Sequence, residues 1–553
     1  MNKNHRILAA SLAFAVMVPA VPVQAAQNTP SAYMNNLSQV AEKYPSTRNQ
    51  GDYATCWAFA AVSLAEMDLI ADNQSSDKNI DLSELALAYD TCHPSWDAFG
   101  GTVGDGLSTM TDYLDVGGNL NYCSRTLLQW RGLVSEESAP YSLADSYQGQ
   151  GTSQAAHLQN ISILDIHKNR NQVKQEIMEH GAAGIGFYFS MGGEFDQRAA
   201  YQGRTVATYY CDRSGYLYVP NHAAVIVGWD DDFPADNFKN KPKENGAWLV
   251  RNSWSETTAD DLYSYFWLSY EDKSLESNAW IMDFEPADNY DYIYQYDGCP
   301  IVGKLFNCPV SANVYKVQGA DSQLLRAVSI TLNEDTSVPY TIKIYSNLSN
   351  LSNPRSGILE TAVSGQTTCA GTYTIPLKQP VSLDKGSRYG IVVELGKKNA
   401  GVDMELAIRQ YPIKSTAGIK KKQSFLYQNG VWKDVAVSYQ NQKVGNLCIK
   451  GYTDQTNSGV GTVAKIKTAA VSTTSVKIAW TSSPGAWGYE LYRSDSKNGT
   501  YRKIATVTGK SYKDTGLKKG KTYYYKVRAC QKSNGVKFTG KPSAAVKASG
   551  KRG

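Results

Sequence analysis

Long apolar runs are scarce in this chain of 553 residues. After one near the N-terminus no stretch of eighteen apolar residues follows, which excludes a membrane-spanning helix. Histidine is also scarce, with six in all, and no pair among the nine cysteines has ligand spacing, so neither a metal site nor a cofactor is indicated. Acidic residues nearly vanish at one end. Residues 462–553 hold 20 Lys/Arg against only Glu490, Asp495 and Asp514, a net of +17. The preceding 461 residues hold 36 Lys/Arg against 48 Asp/Glu, a net of −12, so the whole-chain value of +5 hides two opposed parts. A basic end of this size draws a protein to polyanions. On an exported chain these are anionic wall polymers or membrane surfaces rather than nucleic acid, and solubility is the plainer explanation.

Export is read from the start of the chain. Lys3 and Arg6 precede an apolar stretch at residues 7–21, broken by Pro19, and Val23-Gln24-Ala25 forms a small-residue cleavage site. Residues 1–25 therefore read as a bacterial-type signal peptide, and the product as secreted or cell-wall associated. Setting Cys56 aside, the cysteines fall three, four and one along the chain, which leaves any disulfide pairing open.

Three separated strings carry chemistry. The first is Asn49-Gln50-Gly51-Asp52-Tyr53-Ala54-Thr55-Cys56-Trp57-Ala58-Phe59, which runs into apolar residues dense enough for a buried helix opened by Cys56. A helix N-terminus and a nearby imidazolium both stabilise a thiolate, the form that attacks carbonyls. The second is Pro220-Asn221-His222-Ala223-Ala224-Val225-Ile226, a core strand with the histidine at its entrance. The third, Ala247-Trp248-Leu249-Val250-Arg251-Asn252-Ser253-Trp254, is a short apolar strand ending on an amide that can orient an imidazole.

In these strings the chain resembles the papain family of cysteine peptidases. The resemblance implies Cys56 as nucleophile, His222 as general base then acid, Asn252 as the residue orienting His222, and Gln50 as an oxyanion donor with the Cys56 N–H. Trp254 would shield the Asn252–His222 bond. His222 and Asn252 lie 166 and 196 residues beyond Cys56. That exceeds the family's spacing by a few tens of residues, to be supplied by loop insertions at residues 92–123 and 191–215. Positional match puts Gly100, Gly101, Thr102, Val103, Gly186, Ala223 and Trp254 around the substrate. Small uncharged walls favour an apolar or aromatic side chain two residues before the scissile bond, and Glu276 would instead favour a basic one. The chain departs from the family at Tyr53, where a bridging cysteine is usual, so packing must hold the Gln50 loop. About thirty residues between signal and Cys56 are too few for an inhibitory amino-terminal pro-domain, which implies an enzyme active from birth or restrained otherwise.

The rest reads as all-β. Short alternating runs from residue 286 to 452 resemble a lectin-like sandwich, in which Tyr290, Tyr292, Tyr294 and Tyr296 either stack on sugars or pack within the strands. After a connector at 453–461, residues 462–549 resemble a fibronectin type III domain with Trp480 in its core and a Leu517–Tyr523 corner. The expected fold is α+β: a two-lobed papain-like domain at 26–285, with a helical lobe and a β-barrel lobe, then two β-sandwiches. The expected function is a secreted cysteine endopeptidase acting on protein or peptide, with accessory domains for carbohydrate or wall polymer. Two alternatives remain open: a surface-binding protein on a vestigial peptidase scaffold, and an amidase or transpeptidase acting on wall peptides.

Overall fold

The computed structural model describes residues 29–551, apart from 73–74, 76, 96, 150–153, 192–193, 256–261, 320, 440–442, 457–459 and 534–535. The signal-peptide reading of residues 1–25 lies outside the described residues. No described helix is long and apolar enough to cross a membrane.

Five α-helices and, apart from Gly106–Thr109, strands of one large sheet build the described first half. Helix α1 is Leu37–Lys43, α2 Cys56–Ala71, α3 Glu84–Cys92, α4 Leu120–Leu127 and α5 Arg170–His180. Every side chain of α2 from Trp57 to Leu69 is buried, as an all-round apolar helix requires, and α3 and α4 pack on it in one core. Ser83 and Asn119 cap α3 and α4 through their side-chain oxygens. A second core lies among the strands Ala183–Phe187, His222–Asp230, Ala247–Arg251 and Tyr265–Ser269. These are the two lobes.

Where a loop is expected at residues 191–215, a hairpin stands instead. Phe195–Tyr201 pairs with Arg204–Tyr209, which in turn extends the sheet beside Tyr265–Ser269. Gln202 and Gly203 both have positive φ, the geometry of a two-residue turn whose twist suits the flanking strands. The stretch 92–123 also carries a strand, Gly106–Thr109, paired with Ile413–Thr416 of the following domain.

That following domain is a sandwich whose sheets differ in reach. One, of six strands, includes Pro339–Ser346, Arg388–Leu395 and Val310–Lys316. The other is continuous with the first domain, because Ala370–Leu383 pairs with the edge of Ala156–Asp165 through Ala370–Ile163, Gly371–Ser162 and Thr372–Ile161. A Cβ on Gly371 would sit 1.8 Å from the Ile161 carbonyl oxygen, so only glycine permits this join. Part of the expected connector is also strand: residues 453–456 finish Ile449–Thr456, which pairs with Ser322–Leu332.

The last unit packs a three-stranded sheet on a five-stranded one around Trp480, Leu491, Tyr525 and Val527. The Tyr523 hydroxyl accepts a bond from the Lys518 N–H at 3.2 Å, tying down the corner after Leu517. The unit is docked rather than tethered. Arg528, fully buried, donates to both Glu360 oxygens at 2.6 and 2.7 Å and to Glu490 at 3.0 Å. Several of the C-terminal cations are thereby used internally, since Lys503 and Lys537 also pair with Glu490.

Candidate active site

The two lobes leave a cleft of about 700 Å³ between them, with Cys56 from the head of α2 on one wall and His222 from the mouth of its strand on the other. His222 Nε2 lies 2.7 Å from Asn252 Oδ1. The amide's orientation is fixed independently, since Asn252 Nδ2 donates to the Tyr263 carbonyl at 2.9 Å and Oδ1 also accepts from the Ser253 N–H. A carbonyl oxygen only accepts, so Nε2 carries the hydrogen and Nδ1 is left to face the cleft. Trp254 stacks on the imidazole, ring centres 4.6 Å apart at 16°, and covers this bond.

The sulfur is reached by backbone donors. Burial pushes the Cys56 thiol up, while the N–H groups of Ala223, Trp57 and Cys56 itself pull it down. Burial likewise pushes the His222 imidazole down to about 4, against its bond to Asn252. Each group alone is thus held neutral. Charge separation becomes favourable only when the thiol proton passes to the imidazole and the two charges offset each other's desolvation, with the α2 N-terminus on the sulfur's side.

Gln50 is fixed at both ends of its amide. Its Oε1 accepts from Ser253 Oγ at 2.6 Å and its Nε2 donates to the Tyr53 carbonyl at 2.6 Å, which leaves the second N–H for the cleft it lines. The loop is held by hydrogen bonds where packing alone is expected: Tyr141 Oη donates to the Gln50 carbonyl, and Tyr53 Oη to Asp145 Oδ1 at 2.5 Å. No described cysteine is bridged, and all but the half-buried Cys56 are buried.

Gly186, Ala223 and Trp254 line the cleft, whereas Gly100, Gly101, Thr102 and Val103 do not. That stretch lies at the domain junction. A Cβ on Gly101 would strike the Gln295 carbonyl oxygen at 2.0 Å, the Thr102 N–H donates to Asp97, and Val103 is exposed. The cleft wall is formed instead by Val116, Gly117, Gly118 and Asn119, a second Gly-Gly pair just before the Asn119 cap of α4. Glu276 lines the cleft too, its carboxylate against Gly186, and burial away from water raises its carboxyl above the usual value. Tyr290, Tyr294 and Tyr296 pack on Tyr452, Tyr315 and Tyr389, so these rings are core and interface rather than sugar platforms.

Residues 36–281 match the family described as papain family cysteine protease, and residues 293–453 match a lectin like domain. The first half of this chain is a papain-family cysteine protease domain. Among curated relatives, a cysteine protease of Blomia tropicalis is 27% identical over 228 residues, 39% of this chain and 56% of that protein. Peptidase 1 of Dermatophagoides farinae is 28% identical over 225 residues, 40% of this chain and 56% of its own length. The chain therefore spans about half the length of the curated relatives it matches. Among solved structures, the cysteine protease and lectin-like domains of Cwp84, a surface layer associated protein of Clostridium difficile, cover 78% of this chain and 90% of theirs. The TM-score is 0.63 at 24% identity, which shows a shared fold. The papain-like domain is thus followed by all-β domains in an α+β whole.

Proposed function

We propose that this chain is an exported cysteine endopeptidase in which Cys56, His222 and Asn252 act together and Gln50 helps bind the oxyanion. The observation that carries the reading is the 2.7 Å contact of His222 Nε2 with Asn252 Oδ1 under Trp254, in the same cleft as Cys56. His222 Nδ1 takes the thiol proton, and Sγ adds to the scissile carbonyl carbon. The resulting oxyanion is met by the Cys56 N–H and the second N–H of Gln50, a donor typically worth about 2.7 to 4 kcal/mol in the transition state. Collapse breaks the C–N bond as the imidazolium protonates the leaving amine. Water, deprotonated by His222, then hydrolyses the thioester.

Glu276 beside Gly186 favours a basic side chain two residues before the scissile bond, against the apolar preference that small walls alone suggest. Export rests on the N-terminal signal pattern, and a wall-polymer or carbohydrate ligand would fall to the two β domains. The deciding test is labelling with a thiol alkylator followed by peptide-library cleavage. Selective labelling at Cys56, cleavage of libraries, and loss of several orders of magnitude in Cys56→Ala are expected. A vestigial scaffold would not label, and a wall amidase would label without cutting libraries.

A further inference from the structure

A second cavity, of about 480 Å³, opens where the protease and lectin-like domains meet. It shares Asn121, Asn278 and Trp280 with the catalytic cleft, so the two hollows adjoin across those side chains. Its other walls come from both domains: Lys168, Asn169 and Gln172 on one side, Asn333, Asp335 and Thr368 on the other. The strand join at Gly371 and Thr372 holds these walls in register, so the cavity is formed before anything enters it.

Which end of a peptide would reach it follows from the chemistry of the cleft. His222 must protonate the leaving nitrogen, so the downstream part of a bound peptide lies on the side of His222 and Trp254. The upstream part lies toward Gly118 and Glu276. Asn278 and Trp280 follow Glu276 in the chain, and the second cavity begins at them.

Its lining is polar, with Arg125 and Lys168 against Asp165, Asp335 and Asp403. Lys168 Nζ is paired with Asp165 at 2.6 Å. Buried Arg125 donates through Nη1 to Thr331 and Thr372 at 3.1 and 3.3 Å, and its Nε finds no hydrogen-bond partner among the described residues. Around these stand the amides of Asn121, Asn169, Gln172, Asn278 and Asn333, each offering donors and an acceptor. Such a lining suits a main chain bearing uncharged polar side chains better than a strongly charged or apolar one.

We infer that this interdomain cavity is an upstream subsite that takes an uncharged polar peptide segment, so that the lectin-like domain helps select the polypeptide to be cut. The inference rests on the peptidase reading and extends it. Binding energy gathered there would appear in kcat/KM for long substrates and be missing for short ones.

The test uses the full chain and two peptides that share the same residues around the scissile bond, one ending just upstream and one extended by six Ser/Asn/Gln/Gly residues. Two or three added hydrogen bonds predict about a tenfold gain in kcat/KM for the extended peptide. The exposed pair Asn333→Ala/Asp335→Ala should remove most of that gain without changing the short peptide. Lys168→Ala, on the facing wall, gives an independent second variant. In parallel, Cys56→Ala chain is titrated with fluorescent versions of both peptides. Tighter binding of the extended peptide, lost in the wall variants, supports the subsite. Equal affinity and equal kcat/KM for both lengths overturns it while leaving the peptidase reading intact, whereas length-dependent binding without any cleavage leaves a peptide-binding cavity but sinks the peptidase reading and, with it, the subsite's place upstream of a scissile bond.

Discussion

Gly118 and Trp57 stand so close that a Cβ on the glycine would lie 2.5 Å from the indole ring. Trp57 is buried directly after Cys56 and donates through Nε1 to the Ala54 carbonyl, so the glycine is matched to the start of the nucleophile's helix. Gly118→Ala forces one of them to move. Overpacking of this kind costs about 1–3 kcal/mol, and a shift of Trp57 carries Cys56 with it, so kcat/KM should fall more than tenfold. Gly117→Ala is the control: its φ is +75° but nothing stands within 4 Å, so about 1 kcal/mol of backbone strain is expected with a smaller loss of activity. Equal thermal stability and activity in both variants would show that the close approach is unimportant.

Arg48 joins three acids of the helical lobe, with Nη2 on Glu66 at 2.5 Å and on Asp81 at 2.8 Å, and Nη1 on Glu84 at 2.9 Å. Glu66 and Glu84 are buried, and burial raises both, Glu84 to about 7, against the pull of Arg48. Arg48→Ala leaves these carboxyls unpaired and should destabilise the lobe by about 3–5 kcal/mol. A carboxyl raised in the folded state contributes most below its unfolded value and loses that contribution as pH rises through the folded one. Chemical unfolding should therefore show the variant's deficit growing from pH 5 to pH 8, and a deficit independent of pH would argue against unpaired carboxylates.

His157 lies at the junction of the first two domains, flat on Trp130 with ring centres 3.9 Å apart, and its Nδ1 is 2.8 Å from Asn289 Oδ1. Burial pushes it down to about 4. A depressed histidine favours the neutral form, so its contribution is full above about pH 6.5 and is lost as pH falls through 6.5 toward 4. The ceiling is on the order of 3 kcal/mol. Thermal unfolding followed from pH 7.5 to 4.5 should fall off less steeply for His157→Gln than for the unaltered chain, and identical slopes would remove His157 from the acid response.

How much of this was readable beforehand depends on whether a signal is local. Cys56, His222 and Asn252 were legible as candidates because each sits at the end of an apolar helix or strand, and Gln50 because it precedes Cys56 by six residues. Ala223 and Trp254 lie within those strings, and Gly186 came from positional match to the family. The Gly-Gly pair was misplaced, because glycine signals backbone permissiveness but not what approaches it. Gly101 admits the Gln295 carbonyl and Gly118 admits Trp57, and only three-dimensional distances separate the cases. The sheet shared between domains was equally hidden, since the free edge of Ala156–Asp165 has no sequence signature of its partner. The hairpin at Gln202-Gly203 was obscured by a turn dipeptide less typical than Asn-Gly.

The central claim is that the Cys56 sulfur and the His222 imidazole act as a charged pair, and the rate of Cys56 alkylation against pH tests it most directly. The eight other cysteines are buried, so the native chain should react at Cys56 alone. Rapid reaction already at pH 5–6 is expected in the unaltered chain, and in His222→Ala a rise only above about pH 8.5, where an ordinary thiol ionises. Superimposable profiles for the two proteins, both rising only at alkaline pH, would contradict it.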